Sequence, residues 1–229
     1  MQREYNIYNQ AGQLDSLQHR VLRNTYWLLG LSLIPTAVGA LVGLNLSFAF
    51  MAASPMLTSL LFLGAIYGLF YAIEANRYSS VGVYLLLLLT FVMGVMLGPL
   101  LQFTLAFRNG AQLVSLAAGG TAAAFFTLSA VASTTKRNFT GMAQFLAVGA
   151  VVLMVAVIAN IFLHLPLFQV VLCGAFMIFS SLMILFNISA IVHGGETNYI
   201  TATLSLYVNI YNIFVSLLQL LGIFGGDRR

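Results

Sequence analysis

The chain has 229 residues, of which 61% are hydrophobic and only 6% are charged, and its mean hydropathy is +0.98. A soluble domain carries about 25% charged residues, so this composition excludes a water-soluble globular protein and indicates a membrane protein that crosses the bilayer several times. The net charge of +4 does not indicate nucleic-acid binding, because the nine basic residues lie in short clusters between long apolar segments.

Seven apolar segments succeed one another along the chain, and each is long enough to cross a bilayer, which takes about 20 residues in a helix. The predicted spans are residues 26–45, 55–73, 80–100, 111–132, 140–162, 166–191 and 199–224. We therefore predict an all-α membrane protein with about seven transmembrane helices, a transmembrane domain over residues 25–229. Residues 1–24 are polar and rich in Gln and Asn, which predicts a flexible, disordered tail.

The orientation follows from the placement of Lys and Arg, which are enriched in cytoplasmic segments. A cytoplasmic N-terminus places six basic residues inside, namely Arg3, Arg20, Arg23, Arg77, Lys136 and Arg137. Arg108, Arg228 and Arg229 are then outside. A re-entrant last segment would leave only Arg108 outside, but the length of that segment favours a full span.

Small residues predict close helix packing in three spans. Each contains a GxxxG pair, which allows two backbones to approach closely in lipid: Gly39 and Gly43, Gly64 and Gly68, Gly94 and Gly98. We expect these pairs to serve packing within the chain rather than dimerisation. Pro99 removes a backbone donor and should kink or end the third span.

The last span carries a row of polar side chains. On a helix, one face takes positions i, i+4, i+7, i+11 and i+14, and these are Ser205, Asn209, Asn212, Ser216 and Gln219. Polar groups in hydrocarbon need partners or water, so we expect this helix to be shielded from lipid by the others. Two interpretations stay open: an interhelical hydrogen-bond network and a polar path for an ion or proton. Candidate partners elsewhere are Asn160, Ser180, Ser181 and Asn187.

Motifs for catalysis are lacking: the sequence has no HExxH, CxxC, Walker loop, GxSxG or acidic pair within a span. We therefore predict no catalytic residues, no resident metal and no cofactor. His193, Gly194, Gly195 and Glu196 predict a tight turn between the last two spans, with Glu196 or Thr197 capping the next helix. Glu74 and Arg77 predict an ion pair near the end of the second span.

Several stretches together resemble the Bax inhibitor-1 family of seven-span membrane proteins. They are GVMLGPLL, ILFNISAIVHGGETNYI and SLYVNIYNIFVSLLQLLG. The HGGETNYI turn and the VLRNTY before the first span are similar to the bacterial YccA-like branch, and the resemblance extends from about Val21 to Gly222.

The resemblance implies a fold in which six helices wrap a central, polar seventh helix. It also implies a bacterial inner membrane location and one of two activities. Some members are pH-sensitive calcium leak channels, for which calcium or another cation would be the transported ion. YccA-like members are linked to the membrane-anchored AAA protease FtsH, as substrate and inhibitor in membrane-protein quality control.

The leak channels of the family use two aspartates, whose motif positions fall on Asn187 in LFNIS and Asn209 in SLYVNIYN. An amide keeps the hydrogen-bonding shape of a protonated carboxyl group but cannot ionise. The pair therefore cannot supply the coupled titration of two acids. We expect a pH-insensitive leak, or a protein that does not conduct. Modulation of the protease does not need these acids, only a stable bundle and an accessible N-terminal segment.

Overall fold

The computed structural model describes the backbone of residues 2–48, 55–135, 137–163 and 165–227. Within these ranges the chain forms eight α-helices, one short 3-10 helix and no strand. The α-helices are α1 (Gln2–Asn45), α2 (Pro55–Ala75), α3 (Ser80–Met96), α4 (Gly98–Leu105), α5 (Gly110–Thr134), α6 (Ala143–Leu163), α7 (Pro166–Val192) and α8 (Tyr199–Gly225). The 3-10 helix, Phe139–Met142, leads into α6.

These helices match the seven predicted spans, with α3 and α4 together forming the third. Six helical segments of the described chain are long and apolar enough to cross a membrane, and the described side chains of α2 add a shorter apolar helix, Leu60–Ala75. The prediction of an all-α membrane protein with seven spans is confirmed. The predicted effect of Pro99 is confirmed too: α3 ends at Met96, and α4 begins at Gly98 with the proline in its first turn.

Residues 2–24 differ from the sequence prediction, because α1 is helical from Gln2 onward. The expectation of a segment without regular structure is therefore wrong for these residues. Gln, Leu and Arg are frequent there, and all of them favour helix, so the segment can extend the first span even though it cannot build a core. A cytoplasmic location for this segment stays a prediction.

The last helix crosses the whole bundle. At its start, Asn198 Nδ2 donates to the carbonyl oxygen of Arg77, in the turn before α3, over 2.7 Å. At its end, Asn109 Nδ2, in the turn after α4, donates to the carbonyl oxygen of Gly225 over 2.6 Å. These two turns lie at opposite ends of the third span, so α8 is a full span and the re-entrant alternative is wrong.

The last helix also has the central position that the polar row predicted. Helix α8 packs against α1, α2, α3, α4, α5 and α7, which together represent five of the other six spans. Its side chains Leu206, Tyr207, Ile213 and Leu218 are at most 2% exposed. The remaining span, α6, packs chiefly against α7 and is the least buried of the described spans. The resemblance implied six helices around the last one. The structure instead places five spans around α8, and α6 lies outside them.

Two of the three GxxxG pairs interlock with each other. A Cβ atom on Gly39 would lie 2.2 Å from the Phe91 carbonyl oxygen, and one on Gly94 would lie 2.2 Å from that of Thr36. Contacts this short leave room for hydrogen only, so α1 and α3 meet backbone to backbone, as the packing prediction requires. Gly64 and Gly68 have nothing within 4 Å. For this third pair, the prediction of packing within the described chain is wrong.

Candidate functional site

The turn before α8 sets the start of the polar row. Gly194 has a φ of +77°, which favours glycine, and the N–H groups of Gly195 and Glu196 both donate to the Ala190 carbonyl oxygen, over 2.7 and 3.1 Å. The predicted tight turn is therefore present. The cap, however, is neither Glu196 nor Thr197. Asn198 Oδ1 accepts from the backbone of the first helical turn, and Glu196 accepts the N–H of Asn198 over 2.7 Å.

The turn is tied to the second and third spans by polar contacts at the same end of the bundle. Glu74 and Arg77 form the predicted ion pair, and the carboxylate raises the pKa of the Arg77 guanidinium. Thr201 Oγ1 donates to the second oxygen of Glu74 over 3.0 Å. His193 Nδ1 lies 2.8 Å from the Ser189 carbonyl oxygen, so its contact is with the last turn of α7, the helix that it follows.

The side chains of the predicted row on α8 are buried or half-buried. Asn209 and Ser216 are buried, at 6% and 4% exposure, while Ser205, Asn212 and Gln219 are half-buried. Asn209 Nδ2 donates to the Ser205 carbonyl oxygen over 2.7 Å, within its own helix. No hydrogen bond is found for the Asn212 side chain among the described residues, although it is an amide in a membrane span.

The two family positions do not bond to each other. Asn187 Nδ2 is buried and has no hydrogen-bond partner among the described residues. Two other expected partners of the row, Ser180 and Ser181, do not reach it either. The Ser180 hydroxyl is also buried without a partner in the described chain, and Ser181 donates to the Met177 carbonyl oxygen within α7.

The interhelical bonds of the row lie at the far end of α8, in a chain of amides that joins three spans. Asn160 Nδ2 of α6 donates to Gln169 Oε1 of α7 over 2.6 Å. Gln169 Nε2 donates to Gln219 Oε1 of α8 over 2.7 Å, and the Cys173 thiol donates to the same oxygen over 3.2 Å. We call Asn160, Gln169, Gln219 and Cys173 the amide chain.

Sequence reasoning missed Gln169 and treated Cys173 only as a small apolar residue. Periodicity contains the missing signal. Gln169, Cys173, Ser180 and Asn187 are at i, i+4, i+11 and i+18 of α7, which is one face of a helix. A polar face on α7 opposite the polar face on α8 predicts that these two helices meet through them.

A cavity of about 240 Å³ lies beside the amide chain, between α6, α7 and α8. Its lining consists of Val157, Asn160, Gln169, Leu172, Cys173, Phe176, Asn212, Val215, Ser216 and Gln219. All of these are uncharged, and the polar ones come from the predicted row and from the amide chain. The cavity thus brings Asn212, Ser216, Gln219 and Asn160 together, and leaves Ser205, Asn209 and Asn187 outside its lining.

Tyrosines hold the other side of α8, which the sequence prediction did not include. The hydroxyl of Tyr207 lies 2.8 Å from Thr36 Oγ1 of α1. Tyr211 donates to the Met93 carbonyl oxygen of α3 over 3.2 Å. These bonds fix the rotation of α8, so that Asn212, Ser216 and Gln219 of its polar row line the cavity. Among the described residues, no group of three or more His, Cys, Asp or Glu side chains is placed to hold a metal ion.

The comparisons with known proteins cover the same elements. The model of the family described as inhibitor of apoptosis-promoting Bax1 matches residues 18–226. An uncharacterized protein of Neisseria meningitidis is 42% identical over 226 residues, 98% of this chain and 99% of the relative. An Escherichia coli protein named modulator of FtsH protease YccA is 42% identical over 209 residues, 91% of this chain and 92% of the relative.

The matched region includes the seven spans, the glycine turn before α8 and the polar row. An uncharacterized protein of Pseudomonas aeruginosa adds a further relative, 42% identical over 207 residues and 90% of each chain. The chain belongs to the Bax inhibitor-1 family, and its YccA-like character is confirmed.

Proposed function

We propose that this protein resides in the bacterial inner membrane and modulates a membrane-anchored AAA protease of the FtsH type, as a substrate that also restrains it. The observation that carries the proposal is the 42% identity, over 91% of this chain, to a protein named as a modulator of FtsH protease. A second relative is named inner membrane protein YccA. The proposed role needs no catalytic group, only a stable membrane bundle and a segment that the protease can reach.

The N-terminal part of α1 suits such a segment. Helix α1 has 44 residues, and at 1.5 Å per residue it is about 66 Å long. A bilayer core takes only about 30 Å of helix. The apolar part of α1 begins at about Tyr26, so residues 2–25 extend roughly 36 Å beyond it. With the N-terminus in the cytoplasm, as the basic residues predict, this extension is on the side where an AAA ring would act.

The test is to delete residues 2–20 and to compare the variant with the full chain in cells that contain the protease. Co-purification with the protease and the half-life of the chain itself are both measured. We expect the deletion to lower co-purification and to lengthen the half-life, while removal of the two residues after Asp227 should change neither. Unchanged co-purification and an unchanged half-life would refute the N-terminal mechanism.

A cation leak is the second candidate, and the polar cavity beside α8 favours it. Because Asn187 and Asn209 cannot ionise, we expect any flux to vary little with pH. Calcium flux into liposomes that contain the purified protein is measured between about pH 6 and about pH 8. No calcium flux above that of empty liposomes would rule out a calcium leak, and strongly pH-dependent flux would contradict the role we assign to the amides.

A purely structural role for the polar row is the third candidate, and the amide chain favours it, since interhelical bonds in membranes contribute about 0.6 kcal/mol each on average. Two variants separate structure from conduction. Asn209→Asp should make flux pH-dependent if the position faces a conducting path. If Asn209→Leu lowers thermal stability and leaves flux intact, the row is structural.

A further inference from the structure

The Cys173 thiol determines which atom of each amide in the amide chain donates and which accepts. Sulfur is a weak acceptor and an S–H group can donate, so the Cys173 thiol fixes the oxygen of Gln219, rather than its nitrogen, on the side of α7. Gln169 must then present its nitrogen to Gln219 and its oxygen to α6. Asn160 can only meet that oxygen with its own nitrogen. The carbonyl oxygen of Asn160 is consequently turned away from the chain.

That oxygen is unsatisfied. Asn160 Oδ1 is buried and has no hydrogen-bond partner among the described residues. A buried acceptor in a membrane span costs free energy until a donor or a positive charge reaches it. Asn212, which lines the same cavity, is also unpartnered there. Gln169 Oε1 accepts a single described bond, although a carbonyl oxygen has two lone pairs. These three residues and Ser216 all line the cavity, so its side chains carry four neutral oxygens that could act as acceptors.

The cavity is large enough for a partly hydrated ion. At roughly 30 Å³ per molecule of liquid water, its volume of about 240 Å³ holds roughly eight waters. Calcium sites are usually built from six to eight oxygens that include carboxylates. No carboxylate lines this cavity, and the five acidic residues of the chain, Glu4, Asp15, Glu74, Glu196 and Asp227, all lie at the ends of spans or outside them. Neutral carbonyl oxygens are the ligands that suit a potassium-sized ion in membrane proteins.

We propose that the cavity between α6, α7 and α8 is a binding site for a monovalent cation, held by Asn160, Gln169, Asn212 and Ser216, and that it discriminates against calcium. The desolvation cost of an ion grows with the square of its charge, so neutral ligands that are sufficient for a monovalent ion are insufficient for a divalent one. The proposal does not depend on the protease. It names an ion class for the cavity whether or not the protein conducts.

The test uses the full chain in lipid nanodiscs. Thermal unfolding is followed at constant ionic strength in potassium chloride, choline chloride and calcium chloride. A ligand at about ten times its Kd should raise the midpoint by about 3–6 °C, so we expect potassium, but neither choline nor calcium, to raise it. Asn160→Leu should abolish the difference between potassium and choline. Asn45→Leu is the matched control, because it replaces an amide near the end of α1 that does not line the cavity. This variant should retain the difference between potassium and choline.

A second measurement does not depend on stability. Rubidium, which replaces potassium in such sites, should bind the wild-type chain at about one ion per protein, and Asn160→Leu should lose at least tenfold in affinity. Cys173→Ser keeps a donor and should bind as the wild type does, whereas Cys173→Ala frees the amide chain to reverse and should bind more weakly. Equal midpoints in potassium and choline, equal rubidium binding by Asn160→Leu, or a larger shift with calcium would each overturn the proposal.

Discussion

The interlocked glycines of α1 and α3 permit a sharp prediction about stability. In Gly94→Ala, the added Cβ atom would lie 2.2 Å from the Thr36 carbonyl oxygen, whereas real Cβ atoms stay at 3.0 Å or more. The backbones must therefore separate by about 0.8 Å, the difference between these distances. Neither atom belongs to a flexible side chain, so the whole helix pair has to shift. Overpacking of this kind costs about 1–3 kcal/mol.

Gly68→Ala is the matched control, because Gly68 also belongs to a GxxxG pair but has nothing within 4 Å. Both variants gain the same helix propensity, about 0.5–1 kcal/mol, so their difference isolates the overpacking cost. For a chain of this size, 1 kcal/mol shifts the thermal midpoint by about 2–4 °C. Thermal unfolding of both variants in the same detergent should therefore place Gly94→Ala about 2–12 °C below Gly68→Ala. Equal midpoints would refute the backbone contact between α1 and α3.

Other contacts lead to further predictions. Gln102 Nε2 donates to three carbonyl oxygens at the end of α1, over 2.9–3.1 Å. Gln102→Leu should therefore lower the free energy of unfolding by about 1–3 kcal/mol. Chemical denaturation measures this change, and a change within experimental error would contradict the prediction. Asn198→Ala removes the cap of α8 and its bond to Arg77, so we expect a loss of about 1–3 kcal/mol, with faster amide exchange in the first turn of α8. Glu74→Gln should change the stability little, because the ion pair is exposed and the amide oxygen of Gln can still accept from Thr201; a large loss in the same denaturation assay would contradict this.

Apolar length was sufficient to predict the spans, because a helix in lipid must satisfy its own backbone and cross a fixed thickness. Proline chemistry likewise predicted the break between Met96 and Gly98. The central position of α8 followed from its polar row, since half-buried amides are tolerated only away from lipid. These features depend on the local composition of the chain, which can be read from a single sequence.

Pairing between helices was harder to predict. The sequence shows three equivalent GxxxG pairs, yet only two of them meet a partner in the described structure, because packing depends on which helices become neighbours. Asn187 of α7 was a candidate partner for the polar row that contains Asn209, but the Asn209 amide donates to the Ser205 carbonyl oxygen one turn away. Gln169 was overlooked because a single amide in an apolar segment carries no periodicity until Cys173, Ser180 and Asn187 are counted with it.

The continuity of α1 has a mechanical consequence. A force applied near Gln2 would be transmitted along one uninterrupted helix axis, and Pro35 is the one proline within that helix. The load would reach the contact in which Gly39 of α1 meets Phe91 of α3, where backbone atoms lie against each other. Pulling along the axis would shear this contact over its whole length instead of peeling it from one end. A motor that pulls on the N-terminus would therefore have to shear the close backbone contact between α1 and α3 before it could extract α1.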